Sequence, residues 1–125
     1  MQAALSREFI SVEDYLAGEE ASEIKHEYVG GVVYAMAGAT RQHNQIAGNI
    51  YAAFLQALRG RPCRPFISDI KVRLSALGED VFYYPDVMVG CDPRDTQRLF
   101  LRYPKVLVEV SSPSTERLDR RQKLW

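Results

Sequence analysis

Val106-Leu107-Val108-Glu109-Val110 is apolar on both sides of the two-residue strand period and is interrupted by one acid. A run of that kind reads as a central strand covered on both faces. Glu109 shares its face with Leu107 and Ser111, so its carboxylate is expected in largely covered surroundings. Burying that charge alone is costly, and something must compensate it. Tyr83-Tyr84-Pro85-Asp86-Val87-Met88-Val89 poses the same problem at Asp86. Pro85 withdraws a backbone donor just before the acid, which suggests a strand start, bulge or edge where a side chain can be re-aimed. Two buried acids on separate strands can be stabilised by an arginine, a shared proton or a divalent cation. A hard ion such as Mg²⁺ takes oxygen ligands and keeps several waters, so one or two carboxylates suffice. The competing reading pairs Glu109 with Arg73 or Arg102 and lets Asp86 end a turn; local pattern alone does not separate the two.

Outward from these runs the chain alternates helices and strands. Ser11 and Asp14 form a weak capping signal for a short helix that carries Val12, Tyr15 and Leu16 and ends at Gly18. Residues 24–29 and 32–36 flank Gly30-Gly31, which predicts a hairpin. Between Thr40 and Leu58, Ile46, Ile50, Phe54 and Leu58 recur every fourth residue, an amphipathic helix stopped by Gly60 and Pro62. Strand-like runs follow at 63–67, 70–74, 81–89 and 106–111, and Glu116 to Trp125 opens as a helix. Helices interleaved with strands in this order give an α/β (α+β) fold, a mixed sheet packed by helices.

Composition narrows the function classes. The 125 residues suit one domain, residues 1–125, and 46% hydrophobic with 26% charged residues is ordinary globular composition. No secretory signal or membrane-spanning run is visible, so the expected location is cytoplasmic with no membrane partner. Sixteen basic residues balance sixteen acidic ones, which argues against a pure polyanion-binding module without excluding a nuclease with a local basic patch. Cys63 and Cys91 lack CxxC spacing and neighbouring histidines, so two reduced, semi-buried thiols are expected.

Several segments, in order, resemble the Uma-type restriction endonuclease family of the PD-(D/E)XK nuclease superfamily. They are SVEDYL, YVGGVVYAMAG, RQHNQIAGNIYAAF, SDIKVRL, YYPDVMVGCDP and VLVEVSSPSTERLDRRQKLW. The resemblance implies a restriction-endonuclease-like core in which Asp86 is the acid of PD and Glu109 that of (D/E)XK. Both would be metal ligands, for Mg²⁺ or Mn²⁺, with DNA as substrate. Where the superfamily places lysine, two positions after Glu109, this chain has Ser111. The family pattern offers Lys123 in its stead, on the helix after the SPST segment, where Asp119 four residues earlier could equally claim it as a solvated pair. Glu27 resembles an additional acid supplied from the N-terminal region, or else is a surface residue.

Asp69 and Lys71 share a strand face that either borders the site or is simply solvated. His43 reads as a structural residue or substrate contact, outside the metal shell. The family domain usually continues past Trp125, so the chain is expected to lack the C-terminal part and to cover exposed apolar surface by forming a homodimer. The alternative function is a catalytically inactive nucleic-acid- or protein-binding module on the same fold. A carboxylate-pair glycoside hydrolase is a weaker rival, given the single tryptophan.

Overall fold

The structure, a computed structural model, describes residues 9–111. Two helices and eight strands make an α+β fold with one mixed sheet and a second, smaller sheet. The first helix, α1 (Val12–Ala21), starts where expected: the Ser11 hydroxyl accepts from the Asp14 N–H at 3.1 Å, and Glu13 and Asp14 sit favourably in the first turn. It runs past Gly18, because packing of its inner face outweighs the propensity cost of one glycine. β1 (His26–Val29) and β2 (Val32–Ala35) form the expected hairpin. Val29 pairs with Val32, and Gly30 and Gly31 adopt φ of 53° and 97°, the double positive φ that a two-residue primed turn requires.

Helix α2 (Arg41–Ala57) is capped by Thr40, whose hydroxyl accepts from the His43 N–H at 3.1 Å. It packs against β3 (Arg64–Ile67) and β6 (Val87–Gly90). β4 (Lys71–Ala76), β5 (Glu79–Tyr83), the two-residue β7 (Phe100–Leu101) and β8 (Pro104–Val108) complete the strands. The larger sheet runs β2-β1-β5-β4-β7, antiparallel except for the parallel β4–β7 pair. The smaller sheet runs β3-β6-β8 and is antiparallel throughout.

Strand alternation sorts the core into two sides of the larger sheet. Tyr28 and Phe82 are paired in register, and with Phe100 they meet Tyr15 of α1 in a buried aromatic cluster. On the other side Val72, Val81, Tyr83 and Leu101 pack with Met88 of the smaller sheet. The two sheets therefore share a core under Tyr83 and Met88, while α1 closes the opposite side.

Three further expectations differ from the structure. The run 81–89 is two strands in different sheets, β5 and β6, joined across Tyr84, Pro85 and Asp86; both halves are buried, so apolarity alone could not mark the break. The run containing Glu109 is not a central strand among the described residues: β8 is the edge of its sheet, ends at Val108, and leaves Leu107 37% exposed.

Cys63 and Cys91 are joined by a disulfide rather than reduced. The β3–β6 register pairs Arg64 with Gly90, and one residue further it sets Cys63 against Cys91, with Cα atoms 4.1 Å apart. That juxtaposition comes from strand pairing, not from sequence spacing. Closing a loop of 28 residues' separation should contribute about 2–4 kcal/mol. Urea unfolding of the oxidised chain is therefore expected at a clearly higher midpoint than that of the Cys63→Ser, Cys91→Ser double variant; coincident midpoints would show that the link does not hold the fold.

Candidate metal and catalytic site

The β6–β8 register pairs Val87 with Val108. Carried one residue outward, it sets Asp86 opposite Glu109, and directly opposed residues of an antiparallel pair project to the same side. Asp86 lies at the crossing between the two sheets, and Pro85 beside it is fully buried. Its Oδ2 accepts the Val110 N–H at 2.7 Å and meets His43 Nε2 at 3.1 Å. Both contacts fall on one oxygen. Oδ1 takes no hydrogen bond among the described residues, so the carboxylate is held on one side and presented on the other. The Asp86 and His43 side chains are 19% and 18% exposed, covered enough to be ordered and open enough to be reached. Glu109 directs a buried oxygen, Oε1, into the protein.

Glu27 joins this region from the larger sheet. The β1–β5 register, Tyr28 with Phe82, continues to place Glu27 against Tyr83. Burial pushes the Tyr83 phenol above the usual tyrosine range, and the nearby carboxylates of Glu109, Glu27 and Asp86 add to the effect in that order. A phenol that keeps its proton among three acids is a hydrogen-bond donor at any working pH. Asp86, Glu109 and Glu27 thus act electrostatically on one buried tyrosine. No group of three or more His, Cys, Asp or Glu residues close enough to hold a metal ion occurs among the described residues. Two carboxylates completed by waters remain a sufficient donor set for a hard divalent cation.

The competing reading gives Glu109 to Arg73 or Arg102 and lets Asp86 end a turn; Arg73 is engaged with Asp80 at 3.2 Å, and Asp86 makes contacts with His43 and Val110. Sequence alone gives His43 only a general structural or substrate role, because its contact with Asp86 depends on the docking of α2 and has no local sequence signal. Tyr83 likewise carries no local signal of its place among the acids. Lys123, with its neighbour Asp119, lies outside the described residues.

Lys71 neither lies on a solvated face nor borders the acids. It is 5% exposed, on the α1 side of the sheet, with its Nζ 5.3 Å from the centre of the Tyr84 ring. Asp69 is an exposed partner of Lys25 at 2.6 Å. Lys71 belongs to a second polar cluster around Glu19. The Glu19 Oε2 accepts the His26 N–H at 2.6 Å and the Tyr84 hydroxyl at 2.5 Å, and Oε1 meets His26 Nδ1 at 2.8 Å. Glu19 stands in the last turn of α1, where the helix dipole disfavours an anion, so these donors are what allow it to be buried there. Burial pushes Lys71 below its usual value, against the pull of Glu19 and Glu20. Nothing in the sequence distinguishes Glu19 from Glu20.

With the geometry in place, comparison with known proteins decides the family. The family model described as "Putative restriction endonuclease", Uma2, matches residues 12–125. The chain belongs to the Uma2 family. Among its relatives, the uncharacterized Synechocystis protein slr1290 is 41% identical over 112 residues, which cover 89% of this chain and 58% of that protein. A second uncharacterized Synechocystis protein, sll1609, is 27% identical over 98% of this chain and 70% of its own length. The chain thus spans little more than half of the first Uma2 relative. No solved structure matches it. Among the described residues, no helix is long and apolar enough to cross a membrane.

Proposed function

We propose that this Uma2 chain is a metal-dependent endonuclease that hydrolyses phosphodiester bonds in DNA. The observation that carries the reading is Asp86, clamped through one carboxylate oxygen and opposed in register by Glu109. Asp86 and Glu109 are the residues that would hold Mg²⁺ or Mn²⁺, with Glu27 as an outer acid. When bound, such an ion activates water and neutralises charge on the leaving oxygen.

The chain's own groups prepare that site. Val110 N–H and His43 fix the plane of the Asp86 carboxylate, so Oδ1 need not be ordered when a cation arrives. Tyr83 keeps its proton and can donate to a carboxylate or to a phosphate oxygen, but cannot serve as a base. Ser111 at the superfamily's lysine position supplies no charge, and Lys123 is the residue proposed to fill that role.

The test is cleavage of supercoiled DNA by the wild-type chain with Mg²⁺ or Mn²⁺. Metal-dependent nicking that EDTA abolishes supports the reading. DNA binding without cleavage at any metal concentration would leave the inactive binding module instead.

His43 provides a separate check, because it acts through Asp86. His43→Ala is expected to weaken Mn²⁺ binding by about 10–100-fold, the range for loss of a group that orients a ligand. His43→Gln, whose amide nitrogen reaches about as far as Nε2 and can still donate to Oδ2, should recover part of it. Unchanged Mn²⁺ affinity in His43→Ala, measured by calorimetric titration, would remove His43 from the site.

A further inference from the structure

The charge balance of the whole chain conceals a local asymmetry. No Asp or Glu occurs between Glu27 and Asp69, and that stretch carries Arg41, Arg59, Arg61 and Arg64. It contains α2, which has one fully buried residue, Ala47, and is otherwise open or half-covered. Arg41 opens α2 on its outward side, and Arg59 lies in the turn just past the helix's last residue, Ala57. Between them on that side lie Gln45, Asn49, Ala52 and Gln56, all exposed.

Elsewhere the described arginines are largely spent on internal pairs. Arg73 holds Asp80, Arg94 holds Asp92 at 2.6 Å, and Arg98 holds Glu20 at 2.7 Å. Arg41, Arg59 and Arg61 make no ion pair among the described residues, and Arg64 bonds only backbone carbonyls of Arg61 and Cys63. The inward side of the first turn meets the candidate site through His43 and Asp86, two residues after Arg41.

We propose that the outward side of α2, from Arg41 through the turn that carries Arg59, is the surface on which the DNA sugar–phosphate backbone lies. The proposal rests on the endonuclease reading for its choice of DNA as the polyanion. Charge complementarity carries it: an acid-free helix with a guanidinium at its start and another just past its end, neither in an ion pair among the described residues, and between them side-chain amides of the kind that donate to phosphate oxygens. The helix is about 26 Å long, matching roughly seven to eight base pairs of duplex rise.

The test measures binding of a fluorescein-labelled 20-base-pair duplex to the full chain carrying Asp86→Asn, so that cleavage does not interfere, across NaCl concentrations. Arg41→Gln with Arg59→Gln is compared with Arg94→Gln with Arg98→Gln, which removes the same net charge from paired arginines. The α2 pair should make the plot of log affinity against log salt shallower by about 1.8, at about 0.9 per lost phosphate contact, and the control pair should leave it unchanged. Equal effects from both pairs, or no duplex binding by the parent, overturn the proposal; the latter would favour an acidic protein as partner. The two readings fail separately: salt-dependent binding through α2 without wild-type cleavage sinks the hydrolysis, whereas cleavage indifferent to the α2 pair sinks the surface.

Discussion

Asp86→Asn and Glu109→Gln are each expected to lower metal-dependent DNA cleavage by on the order of a thousandfold, equivalent to about 4 kcal/mol of transition-state stabilisation. The amide substitutions are the informative ones. Asn at position 86 keeps an oxygen that can accept from Val110 N–H and His43, so the crossing between the sheets should hold while the charge that faces a cation is lost. Alanine there would also orphan those donors and confuse lost chemistry with lost stability. Because the two acids serve one ion, the double variant should be little worse than either single one. Cleavage by either amide variant within about threefold of wild type would remove that acid from the chemistry; a fall in the urea midpoint matching the fall in rate would reassign it to structure.

The second large effect concerns stability, on the other side of the larger sheet. Glu19→Ala should destabilise the chain by about 3–5 kcal/mol, the range for removing one member of a buried charged network. The Glu19 side chain is only 4% exposed, and its loss would strand the Tyr84 hydroxyl and the His26 N–H together, with Lys71 deprived of the anion that favours its charge most. Glu19→Gln keeps acceptor and shape and should lose far less. Urea unfolding decides it: a Glu19→Ala midpoint close to wild type would mean that water or rearrangement takes over the three bonds.

The same cluster sets the alkaline limit. Burial, then the bond to Glu19, raises the Tyr84 phenol, and burial raises Tyr15 and Tyr83 as well. Raised folded values confer stability that is fully present below the ordinary tyrosine value and lost as pH climbs above about 10. Lys71, whose folded value is lowered, contributes with the opposite sign in the alkaline range and offsets part of that loss.

What could be read from the sequence was local. Gly30-Gly31 announced its hairpin because both turn residues need positive φ, and the four-residue recurrence of Ile46, Ile50 and Phe54 marked α2 with almost the right ends. Asp86 and Glu109 stood out because an acid inside an apolar run is a physical anomaly. What could not be read depends on pairing between distant segments. Whether β5 and β6 form one strand or two turns on which sheet each joins, and both halves are equally apolar. β7 is two residues long and exists through its parallel contact with β4. The Cys63–Cys91 link, the His43–Asp86 contact and the Glu19 cluster join residues 28, 43 and up to 65 positions apart. Arg41 and Arg59 are diluted in a chain whose total charge is zero, and become legible only against Arg73, Arg94 and Arg98, which are held in ion pairs.

Anomalous scattering from Mn²⁺ diffused into crystals of the wild-type chain tests the central claim most directly. A single strong peak is expected within coordination distance of Asp86 Oδ1 and a carboxylate oxygen of Glu109, with water filling the remaining positions and the His43 contact to Oδ2 intact. An ion bound only to other residues, or a saturated crystal with no ion between these two acids, would contradict it.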